Sequence, residues 1–198
     1  MLDPLNFKQP LMLDIGAGGY SSDDKFTSVD LFTECDITAP MWDIPLPDGS
    51  VDTIFSSNAL EHISKHMVVP TLREWWRLLK ENGKLQVIVP DLEWACYWWL
   101  DHQDTDWSMD IIYGHQKHDG EYHKTGFTMK LLNEYFEQTD LPWKHHAGYY
   151  LWGDDKVQEL KKDVYKHDVT QRVISWETEK VLFPQKGTVN FLQVVPHG

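Results

Sequence analysis

An acid and a glycine turn close an apolar run of strand length near the start of this chain, at Leu11-Met-Leu-Asp-Ile-Gly-Ala-Gly-Gly19. Glycines directly after a strand let the backbone approach a ligand, because no Cβ intrudes and positive φ is available. A dinucleotide-binding strand stays apolar up to its glycines and carries a third one at Gly-x-Gly-x-x-Gly. Here Asp14 interrupts the run and the third position is Ser21, which weakens a nicotinamide reading. More carboxylates follow in register. Phe26 to Asp30 reads as a second short strand, and an acid at its end is placed to accept both ribose hydroxyls of a nucleoside. Glu34-Cys-Asp-Ile37 reads as a third strand end, with Asp36 placed to accept an adenine amino group.

Histidines supply the second kind of chemistry. His62 comes soon after a fourth strand pattern, where a neutral imidazole would serve as a general base near neutral pH. The plainer alternative is a helix-start histidine bonded to backbone; Glu61 beside it suits either a ligand contact or, in preference, a cap of the helix N-terminus. Tyr113 to Phe127 is long, polar and punctuated by glycine, which predicts a functional loop or lid. Its His115, His118 and His123 include no thiolate and match no common zinc spacing, so no metal is expected there. His123 is expected to face the substrate cleft, with the other two solvated. His145-His146 reads as a strand or surface pair. The aromatic group Trp94, Tyr97, Trp98, Trp99 and Trp107 suits either a cage for a cation or ordinary packing, and packing is the commoner outcome.

The elements that must position these groups alternate between strand and helix patterns. Leu72, Trp75, Trp76 and Leu79 fall at helical spacing behind Pro70, which suits a first turn, and Gly83 suits a stop. Lys84 to Val89 predicts a buried strand whose end, Pro90-Asp91, lies where ligands of doubly wound folds bind. Leu92–Leu100 and the Leu131, Leu132, Tyr135, Phe136 stripe predict two further helices, the second ended before Leu141-Pro142. Strands are expected at 147–152, 169–178 and 188–195, the last closing the sheet in antiparallel sense and the middle one belonging to a hairpin-like elaboration.

These pieces, in this order, resemble the class I S-adenosylmethionine-dependent methyltransferases. Asp14 and the Gly-x-Gly turn match the family's first motif. Leu46-Pro47, Asp52 and Leu60-Glu-His62 match the stretch around strand four, and Lys80-Glu-Asn-Gly83 with the strand after it matches the fifth. The resemblance covers residues 11–91. It implies a Rossmann-like α/β sheet, mostly parallel with a closing antiparallel strand, in a single domain over 1–198, with 11–91 as the cofactor half and 92–198 on the substrate side. It implies S-adenosylmethionine as cofactor, held by Asp14, Gly16, Ala17, Gly18, Asp30, Leu31, Asp36, Ile37 and Asn58, with His62 and His123 as catalytic candidates. Small predicted methyltransferases share a His-x-x-Gly-Phe stretch like His123-Lys-Thr-Gly-Phe127. They also share a shortened first crossover, for Gly18 to Lys25 is polar and lacks a helical period. The helix N-terminus that usually faces the cofactor carboxylate is then missing, leaving glycine-loop amides or the Tyr20 and Ser21 hydroxyls to take over. A non-catalytic nucleoside-binding protein of the same fold is the alternative.

Composition bounds the partners. With 31 acids against 18 Lys and Arg, the net charge of −13 leaves no basic stripe for phosphates and favours a small-molecule or cationic acceptor over nucleic acid. Two cysteines, Cys35 and Cys96, form no disulfide framework and read as reduced thiols in or near the core. No apolar run of membrane length and no leader pattern is seen, so a cytoplasmic protein without membrane contact is expected.

Overall fold

The computed structural model describes residues 1–19, 23–103, 105–151, 158–159 and 172–180. β1 (Met12–Ile15) sits at the centre of the cofactor half, with Leu11, Leu13 and Ile15 almost fully buried. It pairs in parallel with β2 (Thr27–Asp30) on one side and β4 (Val51–Ser57) on the other, and β2 carries the two-residue β3 (Ile37–Thr38). β5 (Leu79–Pro90) runs parallel to β4. No helix occurs among the described residues between β1 and β2, as the polar crossover predicts.

Beyond β5 the sheet changes sense. β6 (Trp143–Leu151), β7 (Gln158–Glu159) and β8 (Arg172–Lys180) complete the order β3-β2-β1-β4-β5-β8-β6-β7. β8 lies antiparallel between β5 and β6. Arg172–Lys180, expected at 169–178 as part of a hairpin-like elaboration, lies inside the sheet, and the closing strand expected at 188–195 lies outside the described residues. β6 begins four residues earlier than expected and takes in His145-His146.

Helix boundaries differ from the sequence reading for local reasons. α1 (Lys65–Leu78) starts five residues before Pro70, because Ser64 accepts the His66 amide and caps it; Pro70 is interior. The chain leaves the helix at Leu79, which is already extended and opens β5, so Gly83 is not its stop. Val68, Leu72, Trp75 and Leu78 face the sheet, while Trp76 packs edge-on against Trp143 at 4.6 Å. Arg77 fastens α1 to the segment before β4. It donates to the Ile44 and Leu46 carbonyls at 3.1 and 2.8 Å and pairs with Glu74. Its partner Asp48 is exposed and adds little.

α2 (Leu92–His102) is capped by Asp91, which accepts from the Glu93 amide at 3.0 Å. α3 (Thr105–Tyr113) was not anticipated from sequence. α4 (Met129–Gln138) is capped by Thr128 and buries Leu132, Tyr135 and Phe136. Trp94, Trp98 and Trp107 pack together between α2 and α3 with centroids 5.0–5.6 Å apart. Tyr97 and Trp99 point outward, so the five aromatics form no cage. Cys35 is half-buried, while Cys96 is exposed, which corrects the expectation that it lies in or near the core.

Candidate functional site

At the carboxyl ends of β1, β2 and β4 the chain turns away from the sheet and leaves a crevice, where open α/β sheets bind ligands. A cavity of about 730 Å³ fills it. Ile15, Gly16 and Gly18 form one wall, Asp30 and Leu31 the next, and Asn58 a third. A Cβ at Gly18 would meet nothing within 4 Å, so the turn borders open space there.

Asp30 organises this wall. Its carboxylate accepts from the Gly18 amide at 3.0 Å, the Phe32 amide at 2.7 Å and the Thr33 amide at 3.0 Å. Partial burial opposes the charge, but the three amides outweigh it and hold the carboxyl below its ordinary range. Asp30 therefore ties the glycine turn to the loop after β2. Removing it with Asp30→Ala is expected to weaken S-adenosylhomocysteine binding at least tenfold, since charged hydrogen bonds contribute about 1.5–3 kcal/mol each. Calorimetric titration of the folded variant reads this, and an unchanged affinity would refute the assignment.

Other expected cofactor residues stand elsewhere. Asp36 is exposed, outside the cavity lining, and its Oδ2 accepts from the Ser28 amide and hydroxyl, both at 2.8 Å. It braces β2 rather than facing the cavity. Asp14 and Ile37 are buried in their strands, and neither they nor Ala17 line the cavity. Tyr20 and Ser21 lie outside the described residues. In place of Asp36, Ala39, Pro40, Met41 and Trp42 line the cavity, directly after β3. The rule that ligands sit beyond carboxyl strand ends points to that segment.

Asn58 ends β4 with φ of 50°, a left-handed conformation that asparagine tolerates. Its amide donates to the Ile88 carbonyl at 2.9 Å, and its buried Oδ1 has no hydrogen-bond partner. A single 3₁₀ turn (Leu60–His62) follows and presents Glu61 and His62 to the cavity.

The 113–127 segment closes the opposite side. Its ends are pinned: the His123 amide donates to the Tyr113 carbonyl at 2.9 Å, and the Lys124 and Thr125 amides donate to the Glu61 carbonyl at 2.8 and 3.1 Å. Its tip, a short 3₁₀ turn (Asp119–Glu121), brings His118 within 6.1 Å, ring to ring, of Phe32 on the loop after Asp30. His115 pairs with Asp110 at 3.1 Å and His118 with Glu121 at 3.5 Å.

His62 and His123, expected as catalytic candidates, meet edge to face at 4.8 Å. Sequence reasoning missed their third member. Glu61, expected as a cap in preference to a cofactor contact, is almost fully buried, and its Oε1 lies 3.9 Å from His123 Nε2. Burial without a hydrogen bond to either oxygen pushes its carboxyl up to about 8. Burial, reinforced by His123, lowers His62 to about 4, against the opposing carbonyls of Tyr122 and Asn58. Burial also lowers His123, although its Nδ1 lies 2.8 Å from the Ile111 carbonyl. Both imidazoles are neutral near pH 7.

Comparison with known proteins bears on this site. Residues 13–87 match the methyltransferase domain family. No curated protein matches the chain. An S-adenosylmethionine-dependent methyltransferase from Methanosarcina mazei is similar in structure, with 15% identity and a TM-score of 0.56 over 92% of this chain and 99% of that one. One from Archaeoglobus fulgidus gives 12% identity and 0.54 over 89% of each chain. The 1,6-didemethyltoxoflavin-N1-methyltransferase of Burkholderia thailandensis, with bound 1,6-didemethyltoxoflavin and S-adenosylhomocysteine, gives 13% and 0.54 over 89% of this chain and 73% of that one. At such identities the likeness is one of fold, while the domain match falls on β1 through β5, the strands that build the crevice. The chain has the fold of the S-adenosylmethionine-dependent methyltransferases, with a methyltransferase-domain match over residues 13–87.

Proposed function

We propose that this enzyme methylates a small molecule held between the Glu61-His62 turn and the 113–127 lid. The observation that carries the reading is the single cavity lined both by the cofactor-side residues Gly18 and Asp30 and by His62 and His123. Its volume, about 730 Å³, falls within the range of small-ligand sites. The strongly acidic chain supports a neutral or cationic acceptor over a nucleic acid. The Burkholderia thailandensis protein, which holds 1,6-didemethyltoxoflavin beside S-adenosylhomocysteine, supports a small acceptor by analogy.

The residues present fit the cofactor. The open side of Gly18 leaves room for it, and the Asp30 carboxylate on the same cavity wall suits a ribose hydroxyl. The orphaned Asn58 Oδ1 suits an ammonium donor, which would relieve a buried unpaired acceptor worth about 1–3 kcal/mol. When bound, S-adenosylmethionine supplies an electrophilic methyl group with a neutral thioether as leaving group. The chain must align the acceptor with it and exclude water. His62 and His123 act on the acceptor, and residues 113–124 form the cover over it.

Parallel calorimetric titration with S-adenosylmethionine, S-adenosylhomocysteine and NAD tests cofactor choice, and NAD binding alone would sink the reading. Release of S-adenosylhomocysteine in the presence of a panel of small amines, phenols and thiols then identifies the acceptor class. His123→Ala is expected to slow that release about a hundredfold, the scale of a misplaced reacting group, with cofactor affinity nearly intact. Equal loss of cofactor affinity would move His123 out of the acceptor site.

A further inference from the structure

We propose that Glu61, His62 and His123 form a binding site for one divalent transition-metal ion, whose open positions face the acceptor. One donor atom from each of the three lies within 4.8 Å of the others. They come from two segments sixty residues apart, joined by the Lys124 and Thr125 amides on the Glu61 carbonyl. The use of the open positions rests on the methyl-transfer reading above; the metal site itself does not.

Three observations converge on a cation. First, both Glu61 carboxylate oxygens are buried without a hydrogen-bond partner, while the side chain lines the cavity. An acid in that position is costly unless something positive or protic meets it. Second, His123 Nδ1 lies 2.8 Å from the Ile111 carbonyl, and a carbonyl only accepts. The ring proton is therefore on Nδ1, and the Nε2 lone pair points toward Glu61. His62 Nδ1 similarly lies 3.3 Å from the Tyr122 carbonyl. Metal-ligating histidines are oriented in this way, by donating the distal ring N–H to a backbone carbonyl.

Third, the spacing suits a cation better than a shared proton. The Glu61 Oε1 to His123 Nε2 separation is 3.9 Å. A hydrogen bond would draw the pair to about 2.7–3.2 Å. Ligands about 2.0–2.1 Å from a tetrahedral zinc ion stand roughly 3.4 Å apart, so small side-chain rotations complete the site. Two imidazoles and one carboxylate select zinc, cobalt, nickel or iron(II) over magnesium. Three protein ligands leave an open position, the arrangement of catalytic rather than structural zinc. It faces the cavity, where a bound acceptor oxygen or nitrogen would have its pKa lowered. The zinc spacing dismissed from sequence, His115, His118 and His123, is a different set: His115 and His118 are paired with Asp110 and Glu121.

The test uses the full chain without an affinity tag, stripped with chelator and titrated calorimetrically with zinc chloride in the absence of cofactor. One equivalent is expected to bind, and cobalt(II) is expected to give a visible d–d spectrum that zinc bleaches. Glu61→Gln and His123→Ala are each expected to weaken zinc at least a hundredfold, while His115→Ala and His118→Ala leave it within threefold. S-adenosylhomocysteine affinity reports that the variants remain folded. Absence of zinc binding at micromolar concentration overturns the proposal, as does zinc retained in Glu61→Gln but lost with His115 or His118. Either result leaves the cofactor titrations, and with them the methyl-transfer reading, standing.

Discussion

Gly16→Val is expected to abolish detectable S-adenosylhomocysteine binding and to lower the melting temperature on the order of 10 °C. Gly16 has φ of +78°, and a Cβ there would stand 2.2 Å from the Ala59 Cβ. The contact holds the glycine turn against the chain leaving β4, which also carries Asn58, Glu61 and His62. A β-branched residue must leave the left-handed conformation or push Ala59 away. Backbone strain of about 1–3 kcal/mol adds to overpacking of similar size. Domains retain roughly 5–15 kcal/mol, so the substitution removes a large share. Gly18→Ala is the matched control: its Cβ meets nothing within 4 Å, leaving only the φ penalty. Thermal unfolding and calorimetry of the pair decide it. Gly16→Val with near-native affinity would show that the turn does not shape the cofactor wall.

Gly114→Ala is expected to open the neck of the lid while sparing the cofactor wall. At φ of +80°, its Cβ would fall 1.8 Å from the backbone oxygen of Glu121. A carbonyl within a pinned loop cannot rotate aside as a side-chain end does. The bonds from the Gly114 amide to Asp110 and from the His123 amide to Tyr113 must therefore yield. Strain of about 1–3 kcal/mol corresponds to amide exchange roughly ten- to a hundredfold faster across 113–123. Hydrogen exchange measures it, with S-adenosylhomocysteine affinity expected within a few-fold of the parent. Unaltered exchange at those amides would show that the neck accommodates the methyl group.

Local pattern was enough to place the first parallel strands. β1 is an apolar run stopped by glycine, β2 ends on its acid, and the polar 18–25 stretch announces a crossover with no helix among its described residues. Each of these signals lies within ten residues of what it shapes. Ser64 is a readable cap signal too, whereas Pro70, a residue typical of first turns, sits in the helix interior. α3 was missed because Thr105–Tyr113 offers only a weak apolar period among its acids and serine. Asp36 was misplaced because β3 is two residues long and the Ser28 hydroxyl that claims its carboxylate lies across a strand pair. The burial of Glu61 is not legible in its own neighbourhood. Its burial depends on 123–125 folding back onto its own carbonyl, and no window around residue 61 contains that segment.

The contact of Phe32 with His118 gives the two halves of the site a common account. Phe32 is held by Asp30, which also grips the Gly18 amide, so the tip of the cover rests on the loop that frames the cofactor. A cofactor that steadies this loop also favours the closed cover, and an acceptor trapped beneath the cover steadies the loop in return. Linkage makes the two effects equal: the factor by which one ligand tightens the other is the same read from either side. Mutual tightening of cofactor and acceptor is the expected consequence of this tilted ring contact, read as an equal change in either ligand's affinity when the other is present.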